Sequence, residues 1–96
     1  MRVRVVRFTD VTAERMQELE ARVREAGGAP PGVNSTGLEI LFDEAQATAV
    51  VLQDFASADD LESGTKVFAA MDPGETPGTR ASVDACEVVL RIANPG

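Results

Sequence analysis

Apolar residues along this chain recur at a period that switches between 2 and about 3.6, and the order of those switches leaves few folds open. Residues 3–8, Val-Arg-Val-Val-Arg-Phe, are β-branched or aromatic with arginines interleaved, which is the composition of a strand. Thr9-Asp10-Val11-Thr12 breaks the alternation, and Thr12 offers its hydroxyl as an N-cap. From Ala13 the apolar positions become Met16, Leu19, Val23 and Ala26, one stripe of a helix. Glu18 with Arg22 and Glu20 with Arg24 add favourable pairs on its outer side, and Gly27-Gly28 stops it. Ala29 to Gly37, with two prolines and two glycines, is a loop.

Period two returns at Leu38-Glu39-Ile40-Leu41-Phe42, where Leu38, Ile40 and Phe42 share a face. Asp43 to Gln46 is short and polar and predicts a hairpin turn into a strand over Ala47 to Phe55. A second helix begins at Ser57. Asp60, three residues on, approximates a capping box, and Asp59 and Asp60 complement the helix dipole. Its inner stripe is Leu61, Gly64, Phe68 and Met71, with Glu62 spaced to pair with Lys66. Asp72 to Gly78 carries two Pro-Gly steps and is a loop. The last strand is expected over Ser82 to Ile92, with Cys86, Val88, Leu90 and Ile92 on one face.

The order β-α-β-β-α-β, with right-handed crossovers, folds into an α+β ferredoxin-like plait: a four-stranded antiparallel sheet with both helices on one side. At 96 residues, positions 1–96 make one domain with no internal linker. Hydrophobic residues are 44% and charged residues 26%, the balance of a globular chain, and no apolar run approaches the ~20 residues of a membrane-spanning helix. The first residues lack the apolar core of a signal peptide, and a single cysteine forms no internal disulfide, so a cytoplasmic protein is expected.

Net charge is −7, which argues against nucleic-acid and membrane-surface partners. Arg2, Arg4 and Arg7 are the one basic cluster, with Phe8 as its single aromatic neighbour. The strand Ala49-Val50-Val51-Leu52-Gln53 has no stacking aromatics of the kind an RNA-recognition plait uses. Phe8 to Thr12 lacks the glycine expected in the first turn of an amino-acid-sensing regulatory domain.

His, Trp and Tyr are absent, which removes histidine bases, His-ligated metals and nucleophile–histidine pairs; no cofactor or metal site is expected. Ser63-Gly64-Thr65-Lys66 has an acyl-transfer spacing but falls mid-helix without companion motifs. Cys86, mid-strand, is expected to be a buried, inert thiol.

Two helices cover one sheet face, so the other meets water or a partner. Its strands offer Glu39 and Leu41, Val50 and Leu52 or Val51 and Phe55, and Val83, Ala85, Glu87, Val89 and Arg91. The first strand adds Arg4, Val6 and Phe8, or else Val3, Val5 and Arg7. This face is apolar with a few charges set into it, which marks an interface or a cavity.

The element order, the length near 100 residues and that apolar face resemble the dimeric α+β barrel superfamily, and within it the small proteins similar to antibiotic biosynthesis monooxygenases. The resemblance implies a homodimer whose sheets pair face to face and enclose a small molecule. The chain departs from those monooxygenases in lacking the Trp, Tyr and His of their pockets, and neither Asn34 nor Asn94 lies on a predicted strand. The expectation is therefore a homodimeric barrel protein holding a small apolar or anionic molecule. The alternatives are a cofactor-independent monooxygenase and a structural dimerisation module with a filled core. Arg4, Glu87 and Arg91 interrupt apolar strands and are the candidate ligand-binding groups, with Arg80 at the end of the Pro-Gly loop as a fourth. Their bland role is a salt bridge between strands or between subunits.

Overall fold

A computed structural model describes residues 1–70 and 76–95. The elements run β1 (Arg2–Thr9), α1 (Ala13–Ala26), β2 (Gly37–Asp43), β3 (Thr48–Phe55), α2 (Ala58–Ala69) and β4 (Thr79–Glu87). The strands form one antiparallel sheet in the order β2-β3-β1-β4, with both helices on one face: this is the ferredoxin-like plait.

Local chemistry sets the element ends. The Thr12 hydroxyl accepts from the Arg15 amide at 3.2 Å, and Gly27, in the left-handed region at φ 71°, returns its N–H to the Val23 carbonyl. The Ser57 hydroxyl accepts from the Asp60 amide at 3.1 Å and starts α2. In the hairpin the Asp43 carboxylate accepts from the Gln46 backbone and side-chain nitrogens, and Ala47 takes a positive φ of 52° to enter β3. The helical ion pairs Glu20–Arg24 (2.7 Å) and Glu62–Lys66 (3.7 Å) form on exposed faces, where each is worth only a few tenths of a kcal/mol.

Register assigns every strand residue to a layer. Arg4, Val6 and Phe8 of β1 stand beside Gln53, Val51 and Ala49 of β3, and these beside Leu38, Ile40 and Phe42 of β2, all under the helices. Val6, Phe8, Val11, Met16 and Ala49 make the buried core, with Leu19, Ile40, Phe42 and Val51 packed against it. Phe55 is fully buried beneath Gly64 of α2. The expected inner stripe of α2 holds at Leu61, Gly64 and Phe68, of which the first two are buried; Met71 lies outside the described residues, as do positions 72–75 of the Pro-Gly loop.

Three expectations need correction. The last strand starts at Thr79 and ends at Glu87, so Val88 to Ile92 lie beyond it, and Val89, Leu90 and Ile92 are exposed. Cys86 is exposed, because pairing with Val3 turns it to the face that no helix covers. On that open face β4 contributes Ser82, Asp84 and Cys86, whereas Val83, Ala85 and Glu87 stand on the helix side opposite Val6, Arg4 and Arg2. The other strands give Val3, Val5 and Arg7, Val50, Leu52 and Asp54, and Glu39 and Leu41 to the open face.

The contact of Gly64 with Phe55 yields a test. A Cβ at residue 64 would lie 2.8 Å from the Phe55 ring, which is enclosed and has nowhere to go. Gly64→Ala gains about 1 kcal/mol of helix propensity but overpacks this contact at a cost of about 1–3 kcal/mol. Thermal unfolding followed by circular dichroism is expected to show a lower Tm for the variant. An unchanged or higher Tm would mean that α2 is free to move off the sheet.

Candidate functional site

A cavity of about 490 Å³ lies between the helices and the sheet, and Val6 and Phe8 of the core form part of its wall. Its floor is the row Arg4, Gln53 and Leu38 with the row Val6, Val51 and Ile40 beside it. Leu19, Val23 and Ala26 of α1 form the roof, Phe68 of α2 closes one side, and the loop from Gly28 to Thr36 closes the other. The Ser35 hydroxyl holds that loop between the carbonyls of Gly37 (2.9 Å) and Asp54 (3.0 Å), and the Thr36 amide donates to Asp54 O at 2.8 Å.

The walls are mostly hydrocarbon, which makes Arg4 conspicuous. It is 6% exposed. Its guanidinium carries five N–H donors, yet among the described residues it makes one hydrogen bond, from Nη1 to Gln53 Oε1 at 3.0 Å. The buried Nε has no acceptor. The cation lies 4.8 Å from the centre of the Phe68 ring, a stabilising contact but not a counter-charge. Burial pushes its pKa below the ordinary arginine value, and the positive charge of Arg80 pushes the same way. No carboxylate lines the cavity among the described residues. A buried cation with a second cation nearby and no anion is electrostatically unfinished.

Arg80 reaches this cavity because of a break in the ladder. Arg7 pairs with Ser82, but Phe8 pairs with Arg80, so Ala81 is the extra residue of a β-bulge. With regular pairing Phe8 would face Ala81, and Arg80 would stand on the open face. The bulge therefore moves Arg80 to the side of Arg4. The preceding segment is pinned: Arg15 Nη2 donates to Thr76 O at 2.9 Å, the Thr76 hydroxyl donates to Gly78 O at 2.8 Å, and Gly78 sits so tightly on the Thr9 carbonyl that no Cβ fits.

Of the four candidate residues, the structure brings together Arg4 and Arg80. Glu87 shares the helix-side face but stands at the far end of β4, where it pairs with Arg2 at 3.8 Å. Arg91 lies beyond β4 and is exposed. Alternation splits the basic cluster: Arg7 stands exposed on the open face while Arg4 is buried under the helices. Gln53 and Phe68 are the site residues that sequence reasoning missed. The available signal was Gln53 itself, a polar residue that breaks the apolar run of β3 at the same parity as Val51.

If Arg4 is retained for a ligand, it is a burden on the empty protein. Replacing Arg4 and Gln53 together, Arg4→Met with Gln53→Leu, removes the buried cation without orphaning its partner. Such exchanges of buried charged groups for packed apolar ones are neutral or stabilising by about 1–4 kcal/mol. The double variant is expected to keep or raise the Tm in thermal unfolding. A drop of several degrees would assign Arg4 a structural role.

Among the described residues no cluster of His, Cys, Asp and Glu could hold a metal ion, and no helix is long and apolar enough to cross a membrane. No family model, curated protein sequence or solved structure matches the chain. The function is therefore read from the cavity and from the open face of the sheet.

Proposed function

We propose that this chain is a small-molecule binding protein whose ligand joins an apolar body to an anionic head and sits between the helices and the sheet. The observation that carries the reading is Arg4, a buried cation with, among the described residues, one neutral hydrogen-bond partner, in a mostly apolar cavity. An anionic head beside Arg4 supplies the missing counter-charge, and charge-assisted hydrogen bonds are the strong ones. The apolar body replaces water against Val6, Leu19, Val23 and Ile40. A cavity of a few hundred Å³ with few convergent polar groups is the usual form of such a site. An oxygenase reading finds less support: the chain has no histidine or tyrosine, and among the described residues no carboxylate borders the cavity to take a proton from a substrate.

Octanoate and octan-1-ol share a body and differ in charge. Calorimetric titration is expected to show octanoate binding the wild-type chain more tightly. Arg4→Met should weaken octanoate about ten- to a hundredfold, the equivalent of one charge-assisted hydrogen bond. Equal affinity for the alcohol and the acid, or octanoate affinity unmoved by Arg4→Met, would overturn the proposal.

We further propose that the chain pairs with a second copy through the open face, as the resemblance to dimeric α+β barrels implies. Val3, Val5, Val50, Leu52 and Leu41 form a continuous apolar surface there, a surface that costs free energy when left in water. Arg7 stands on the same face as Glu39, Asp54 and Asp84, so both signs of charge are available for self-pairing. A cytoplasmic location belongs to this reading, supported by the single exposed thiol of Cys86. Light scattering is expected to give about twice the 10.1 kDa chain mass at micromolar concentration, and Leu52→Arg to give the monomer. The wild-type dimer should also protect Cys86 from a thiol reagent that modifies it freely in the variant. A wild-type chain that scatters as a monomer, with Cys86 reacting at one rate at all concentrations, would remove the dimer.

A further inference from the structure

The cavity does not end at Ile40. A second hollow, about 520 Å³, opens between α1 and β2, and it shares Val23, Leu38 and Ile40 with the walls of the first. Beyond those shared residues lie Met16 and Phe42, and the exposed Glu20–Arg24 pair borders the rim. Together the two hollows run along the strand direction, from the row of Arg4, Gln53 and Leu38 to the row of Phe8, Ala49 and Phe42. That distance is four strand residues, about 13 Å at ~3.3 Å per residue. On the opposite wall α1 keeps Met16, Leu19 and Val23 over the same course, so both sides of the path are apolar.

Arg4 is the buried cation of this path, and it stands where the path begins. It is fixed by Gln53 and Phe68, whereas Ile40, Val23, Met16 and Phe42 offer no polar group along the rest, and Arg22, Arg24 and Arg80 at the borders are exposed. A compact anion would fill the head site and leave the path wet. We propose that the ligand is an unbranched aliphatic carboxylate of roughly eight to ten carbons, a length set by the ~13 Å run of strand beneath it. Its carboxylate lies beside Arg4, and its chain passes between α1 and β2 toward Phe42. This rests on the small-molecule reading of the cavity and adds to it the shape and direction of the ligand.

The test is a homologous series on the whole chain: butanoate, hexanoate, octanoate, decanoate and dodecanoate by isothermal titration calorimetry, with benzoate as a compact control. Each methylene buried against these walls is expected to tighten binding about three- to fourfold. The gain should continue to about eight to ten carbons and then flatten. Val23→Trp, which narrows the wall common to the two hollows, should move the plateau to shorter chains. Arg4→Met should weaken every member of the series, which separates site binding from detergent action. Affinity that is flat beyond butanoate, or benzoate binding as tightly as decanoate, would overturn the chain path while leaving an anion site at Arg4 in place. Absence of binding across the whole set would overturn both.

Discussion

Strand β1 is hydrogen-bonded along both edges, to β3 and to β4, and each of its side chains is thereby committed to one layer or the other. Its sequence uses that commitment fully. Arg4, Val6 and Phe8 go under the helices and Val3, Val5 and Arg7 go to the open face. Neither set can be exchanged without a one-residue slip that would move every neighbour as well. Arg4 is accordingly buried by the same geometry that buries Val6 and Phe8, and it stays buried although its charge finds no carboxylate among the described residues. The cavity above it exists because α1 is held to the sheet by Met16 and Leu19 at its core end, while the roof over Arg4 is left to Val23, Ala26 and the loop that follows.

The molecule therefore has two apolar surfaces with different characters. The inner one is concave and mostly apolar, with the buried cation of Arg4 set into it. The outer one is broad and carries both signs of charge around a hydrocarbon centre. They lie on opposite sides of the same four strands, so the residues that serve one are interleaved with those that serve the other.

Much of this fold is legible in the sequence because its signals are local. Thr12 and Ser57 cap their helices with their own hydroxyls, Gly27 supplies a left-handed C-cap, and Asp43 and Gln46 close the hairpin between them. What is not legible depends on partners distant in sequence. The parity of β4 is settled by its pairing with β1, and apolar Val83 and Ala85 alternate with polar Ser82 and Asp84 too evenly to announce which set faces the helices. Its end is equally silent, since Val88 to Ile92 have the β-branched composition of a strand but leave β1 behind at Met1, whose carbonyl takes the last hydrogen bond from Val88. Arg4 and Arg80 are visible as interruptions of apolar or glycine-rich sequence. That both border one cavity, and that Gln53 and Phe68 hold the first of them, follows from the register and from α2 lying across β1.

The bulge at Ala81 has a consequence for how such a chain tolerates change. Elsewhere in the sheet a substitution alters one side chain, and its effect stays where it is made. Between Thr79 and Ser82 the count of residues carries the information: one fewer, and the arginine beside the cavity belongs to the opposite surface of the molecule, with no change in its identity. Two chains could share every residue type around this cavity and still differ in whether the arginine at position 80 borders it, according to the length of a four-residue stretch. In this part of the molecule binding chemistry is written in spacing, and a comparison of residue types alone would read it wrongly.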